Sequence, residues 1–440
     1  MQNLNITVNP MFYDLIIVGG GPTGASLAAR IAPSGMKILL LEKDSLPNRT
    51  VISCSLLLSH GMQLLDEIGI AEELYASGNS RLRGAVLEVD GYFRTVIAMP
   101  EDRGRNYLYG IDRQKLDDSI WNNTMRFPNI KAVDGFVVSD IQQNDEGVIV
   151  QGVKKGEGEM RYQAKAIVGA DGRHSVVARK CGAVTTEEVS RYNTAVFYAY
   201  WEHVVPYRIK GDEWVQIHTN GKGRSVVLMP STDGKTGVLL QCRQADFDGE
   251  GKLEEWYMNF LHELPLVSKR FNTAKRVTPI KGIKNVNNLF RQAFGNSWVL
   301  AGDAYHQKDS YDAQGIYDGL LGAKVLSKHL IAWFVEGHSW EKVMQDYECE
   351  IAAHMKPMFA NTMERLKREM FTDVSPIIAN TVMRWLLTNK GYLEKFSKTM
   401  IRKMRSSKGD TAGGVFKALF VGFFRDMRAI ALRVPKDGKE

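Results

Sequence analysis

Two hydrophobic rhythms run along this chain. Tyr13–Val18 is almost wholly apolar and ends in glycines, as a strand buried on both faces would. Pro22–Ala32 then reads as a helix with Pro22 near its first turn. Lys37–Leu41 is a second buried strand, so the chain opens on a β-α-β unit. Leu56–Ile68 has helical spacing, and Arg83–Ala98 alternates like paired strands around Asp90-Gly91. Arg113–Phe127 predicts another helix. Gly135–Val153 and Arg161–Val168 alternate again and lead into Gly169-Ala170-Asp171-Gly172.

From Asn193 to Arg243 the pattern turns to successive strands: Asn193–Glu202, Trp214–His218, Arg224–Met229 and Gly237–Arg243. Ser297–Ala301 returns to a short buried strand, and beyond Tyr311 the spacing is mostly helical. The expected fold class is therefore α/β. A Rossmann-like nucleotide domain is expected from residues 11–80, 105–185 and 276–335. A β-rich substrate domain is expected from 81–104 and 190–275, and a C-terminal helical region from 336–440.

Composition narrows the partners. Among 440 residues Lys plus Arg number 57 and Asp plus Glu 50, a net charge of +7. That mild excess lies largely near the C-terminus, and no aromatic-interleaved basic block points to nucleic acid. The four cysteines form no CxxC pair, and no HxxxH or HExxH spacing occurs, so no metal site is expected. The N-terminus lacks the build of a signal peptide, and no apolar run reaches membrane-spanning length. A cytoplasmic protein is expected.

The glycines after the first strand carry the first chemical signal. Gly19, Gly21 and Gly24 form GxGxxG between a predicted strand and a predicted helix. The first permits the tight turn, the second lets backbone approach a pyrophosphate, and the third allows close helix packing. Gly21, Pro22 and Thr23 would present a helix N-terminus to phosphate. Glu42 ends the second strand, where a carboxylate binds ribose hydroxyls and repels a 2′-phosphate; Lys43 follows it. This points to FAD or NAD rather than NADP.

Two later segments choose between them. Trp298–Ala304 is a buried strand ending in Gly302-Asp303, and Gln314-Gly315-Ile316 opens a long helix. An aspartate at a strand end can accept from a ribityl hydroxyl, and a helix N-terminus favours negative charge on a flavin pyrimidine. Gly302, Asp303, Ala304, His306, Gln314 and Gly315 resemble the GDAxHxxxPxxGQGxN motif of the para-hydroxybenzoate hydroxylase superfamily. Ser310, Ala313 and Tyr317 depart from it. Residues 166–175, around Asp171, resemble that family's DG motif. Arg113, followed by Leu116-Asp117, resembles its RxxLD setting, and Arg49, shortly after Glu42, is a candidate for the flavin-edge arginine that family often has there.

The resemblance covers roughly the first 335 residues. It implies FAD as cofactor, with NADH or NADPH as a transient reductant. It implies hydroxylation of an aromatic or polyketide-like molecule through a flavin C4a-hydroperoxide. Flavin-dependent halogenases and geranylgeranyl reductases are relatives in the same superfamily. They leave two alternatives open, one of them served by a separate flavin reductase. The chain lacks the WxWxIP stretch of tryptophan-type halogenases and the YxWxFP-like motif of the reductases. Halogenases also need a lysine near the substrate. Candidate catalytic side chains are His306 beside the flavin motif, with Arg224 and Tyr198 on the expected roof strands.

Near the C-terminus Phe416, Leu419, Phe420, Phe423 and Met427 recur at helical spacing, with Lys417, Arg425 and Arg428 between them. Such a helix packs on the enzyme body or makes peripheral contact with an anionic membrane, collecting a lipophilic substrate. Gly413-Gly414 before it suits a hinge or break.

Overall fold

The computed structural model describes residues 12–46, 55–89, 91–220, 223–372, 375–403 and 408–433. In chain order we label β1 Phe12–Val18, α1 Pro22–Ile31, β2 Ile38–Leu41, α2 Ser59–Asp66, β3 Gly84–Val89 and β4 Phe93–Ala98. Then come α3 Arg113–Thr124, β5 Ile130–Val133, β6 Phe136–Asn144, β7 Gly147–Lys154 and β8 Gly158–Gly169. The middle holds β9 Thr194–Glu202, β10 Val215–Asn220, β11 Arg224–Pro230, β12 Thr236–Arg243, α4 Leu253–His262 and β13 Lys281–Val286. The last part holds β14 Trp298–Leu300, α5 Gly315–Phe334, α6 Trp340–Glu369, α7 Pro376–Leu387, α8 Lys390–Met400 and α9 Lys408–Arg433.

The apolar runs β1, β2 and β14 lie inside the first sheet, whose parallel core runs β14-β8-β1-β2-β5. α1 packs between this sheet and α5. Register aligns the strand ends. Val18 stands beside Leu41 and Gly169, and Gly169 stands beside Leu300. Four strands therefore end in one row, and the residues just beyond each end share one crevice. That is where open parallel sheets bind ligands.

The second sheet runs β9-β12-β11-β10-β3-β4, with β13 against the far side of β9. Its pairs are antiparallel except β10 with β3. Ala195, Phe197, Val226, Leu228, Val238 and Leu240 bury one face against Trp256, Tyr257, Phe260 and Leu261 of α4. Each such large side chain contributes roughly 1.5–3 kcal/mol on burial. The opposite face is left for the site.

Two local expectations change. Ser55–Leu57 is a strand paired with Tyr109–Ile111, and the helix expected from Leu56 begins only at Ser59, because cross-strand pairing prevails there. Gly413 and Gly414 break nothing: α9 runs through both. No helix among the described residues is long and apolar enough to cross a membrane.

Candidate functional site

The aligned strand ends build a cradle. Gly19 has φ +106°, and a Cβ there would come within 2.3 Å of the Ala170 carbonyl oxygen, so only glycine lets the β1 and β8 ends approach. A Cβ on Gly24 would collide with the Gly19 carbonyl, which keeps α1 tight against the turn. The α1 N-terminus has no side-chain cap and no acidic residue in its first turn. Its N–H groups are thus left for an anion. Glu42 is buried at the end of β2. Its carboxylate accepts from Gly20 N at 2.7 Å and Asp44 N at 3.0 Å.

Asp171 accepts from Val176 N at 2.6 Å and Val177 N at 3.2 Å, and burial raises its pKa. Asp303 pairs with Arg173 at 3.2 Å. Arg113, in the first turn of α3, is held by two hydrogen bonds to buried Asp117, at 3.1 and 3.2 Å. The α5 N-terminus also lacks a side-chain cap.

One cavity of about 850 Å³ runs from this cradle to the inner face of the second sheet. Gly19, Gly21, Pro22, Thr23, Glu42, Lys43, Arg113, Asp171, Asp303, Gly315 and Ile316 line its floor. Gly24, Gly302 and Gln314 do not line it. Gly302 has φ +60°, and a Cβ on it would meet Thr23 Oγ1 at 2.5 Å, so it joins two motifs by close approach. Gln314 turns toward the C-terminal segment, meeting His60 at 3.3 Å, Arg402 at 3.1 Å and the Met400 carbonyl at 2.9 Å. Arg49 lies outside the described residues.

The far walls are apolar. Val196, Val215, Ile217, Val227, Met229 and Leu239 face inward from the second sheet, with Tyr198, Thr219, Ser225 and Gln241 as polar islands. α7 and α8 close the side with Met383, Leu386, Leu387, Tyr392, Phe396 and Met400.

Of the three catalytic candidates, Tyr198 lines the cavity. Arg224 does not: it shares the outer face of β11 with Val226 and Leu228, lies over the Phe260 ring at 5.1 Å and pairs with Glu263. His306 is also corrected. It is buried, stacked on Phe290 with ring centroids 5.2 Å apart, and its Nε2 is 3.8 Å from Asp318 rather than on the cavity surface. Burial lowers its pKa.

Sequence reasoning missed a buried ionic cluster at the cavity edge. Asp312 accepts from Thr362 at 2.5 Å and pairs with Arg365, which also meets Glu369 at 3.1 Å. Burial works to raise Glu369, but Arg365 and Arg368 hold its carboxylate below the usual range. Arg365 lies over both Tyr311 and Phe396, at 4.8 and 5.0 Å from the ring centroids. Asp312 sat inside the recognised motif, whereas Arg365 had no local signal. Among the described residues no group of three His, Cys, Asp or Glu could hold a metal.

The cradle's donors and acceptors suit a dinucleotide: two uncapped helix N-termini for phosphate and pyrimidine, and carboxylates for ribose and ribityl hydroxyls. Arg173 lines the same cavity with its Nη1 buried and without a hydrogen-bond partner, as a cationic donor awaiting an acceptor would be. Fold and cradle define an FAD-binding oxidoreductase class.

The family model described as "FAD binding domain" matches residues 13–362, and the chain belongs to that family. Its cofactor is FAD. Relatives include monooxygenases, halogenases and geranylgeranyl-type reductases. The chain is 24% identical over 409 residues to a rifampicin monooxygenase of Streptomyces venezuelae, covering 89% of this chain and 79% of that one. It is 22% identical over 347 residues to a 1H-pyrrole-2-carbonyl-[peptidyl-carrier protein] chlorinase of Pseudomonas fluorescens, covering 72% and 76%. Its fold matches a solved flavin-dependent brominase with TM-score 0.76 at 16% identity, over 94% of this chain and all of the other.

Proposed function

We propose that this chain is an FAD-dependent monooxygenase that hydroxylates a lipophilic small molecule, aromatic or polyketide-like at its reacting end, with NADH or NADPH as reductant. One observation carries the reading: the cavity floored by the dinucleotide cradle is walled above by apolar side chains. Such walls favour an uncharged, elongated substrate and exclude water from the reacting atoms.

When bound, FAD supplies the redox and oxygen chemistry. Gly21, Pro22 and Thr23 present the helix terminus that would hold its phosphates, and Glu42 the carboxylate for ribose. Asp171 and Asp303 would hold its more distal hydroxyls. Tyr198, which lines the cavity from the second sheet, would orient a phenolic or carbonyl group by hydrogen bonding. Among the described lining residues Lys43 is the only lysine, and it follows Glu42 at the cradle end. The apolar walls also suit reduction of an isoprenoid double bond, which is the second reading.

The test is turnover of purified, FAD-loaded protein with NADH or NADPH under labelled dioxygen, with a panel of alkylated phenols and polyprenyl compounds. Faster flavin bleaching with substrate, and one labelled oxygen atom in the product, are expected. A halide-dependent product overturns the reading in favour of halogenation. A product that gains two hydrogens without oxygen overturns it in favour of reduction.

A further inference from the structure

The C-terminal helices serve two surfaces. On the inside, α7 and α8 supply Met383, Leu387, Tyr392, Phe396 and Met400 to the cavity wall. On the outside, α9 packs on α7 through small residues. A Cβ on Gly422 would meet the Trp385 ring at 2.3 Å, and Ala418, one turn earlier, is buried. Trp385 Nε1 donates to Asp426 at 2.7 Å, and Arg384 pairs with the same carboxylate.

That packing leaves a different face of α9 uncovered. Phe416, Phe420, Phe423, Phe424 and Met427 are 72%, 57%, 47%, 54% and 50% exposed. At about 100° per residue these five fall within an arc of about 100°. Lys417 and Arg428 lie at one edge of the arc, Arg425 lies beyond them, and all three are exposed. Ile377 and Ile378 of α7 add 73% and 57% exposed side chains. Single exposed apolar residues are ordinary, but a stripe of four phenylalanines is not.

The charge pattern selects the occupant. Aromatic side chains on one face with Lys and Arg at its margin are the build of a helix lying in a bilayer interface. Asp426, the acidic group whose side chain is described on α9, is tied inward to Arg384 and Trp385. The chain as a whole carries +7. The wall behind this face borders the lipophilic chamber.

We propose that the exposed face of α9, with the start of α7, seats on an anionic lipid bilayer, and that the substrate enters the cavity from that bilayer past α7 and α8. The second half rests on the lipophilic-substrate reading above; the docking itself does not.

The test uses full-length, FAD-loaded protein with vesicles of phosphatidylcholine alone or with about 30 mol% phosphatidylglycerol, read by flotation. The expected result is partition to the anionic vesicles, weaker with neutral ones and weakened by salt. Phe420→Glu with Phe424→Glu is expected to lower partition at least ~10-fold. Flavin absorbance and hydroxylation of detergent-dispersed substrate should be unchanged. Lysine at both positions is the second variant, retaining charge attraction while losing the apolar stripe, and it should also lose binding to neutral vesicles. Absence of partition to anionic vesicles overturns the proposal, as does equal partition by the glutamate variant. A dimer in sedimentation velocity that the glutamate variant abolishes, without vesicle binding, overturns it in favour of a second copy. Vesicle binding with no turnover of dispersed substrate would sink the hydroxylase reading and leave the docking intact.

Discussion

Arg365→Met should destabilise the protein by about 3–5 kcal/mol, the usual effect of removing one partner from a buried ion pair. The structure explains why the upper part of the scale applies. Asp312 is fully buried, and with Arg365 gone its described side-chain partner is the Thr362 hydroxyl at 2.5 Å. Glu369 fares better, because Arg368 still reaches it at 2.6 Å. The loss therefore concentrates on Asp312, at the edge of the cavity. Methionine keeps much of the arginine stem between Tyr311 and Phe396, so packing changes less than charge. At 1.4 kcal/mol per tenfold, the folding equilibrium falls by roughly two to four orders of magnitude. Urea unfolding followed by tryptophan fluorescence measures it, with FAD bound and removed. Adding Asp312→Asn should recover much of the loss, since the stranded charge is then absent. A single variant within about 1 kcal/mol of the parent, or a double variant no better than the single, would refute the reasoning.

Asp303→Ala should weaken FAD binding about 10–100-fold, the worth of a hydrogen bond to a charged group, and leave Arg173 without its 3.2 Å partner. Flavin retained per protein after gel filtration reads this directly, and unchanged retention would remove Asp303 from the site. Stability should fall as pH drops from about 6.5 toward 4, because burial lowers both His60 and His218 to about 4. The folded state binds fewer protons than the unfolded one across that window, so this contribution is complete above about pH 6.5; near pH 4 each histidine costs roughly 3 kcal/mol. Glutamine at both positions should flatten the urea midpoint between about pH 6.5 and 4.5, and a slope that persists there would sink the assignment.

Much of the cradle was readable along the chain because each of its parts closes a strand. Gly19, Glu42, Asp171 and Asp303 all follow short apolar runs, and glycines or a carboxylate at such an end are local signals. Their meeting was not local: it needed the register that sets Val18, Leu41, Gly169 and Leu300 in one row. His306 and Gln314 occupied the right motif positions, yet their side chains turn to Phe290, Asp318 and Arg402, contacts supplied from elsewhere in the chain. Arg365 and the α7–α8 wall carried no motif at all. Arg224 shows the limit most clearly. Alternation in β11 does define two faces, Val226 and Leu228 against Val227 and Met229, but both are apolar. A strand buried on both sides does not reveal which side faces substrate. Only α4, packed on the Val226 face, decides that Arg224 looks outward and that the Val227 face roofs the cavity. Roof candidates in such a sheet therefore become distinguishable once the helix behind the sheet is placed, and Tyr198 stays a candidate because it stands on the face that α4 leaves uncovered.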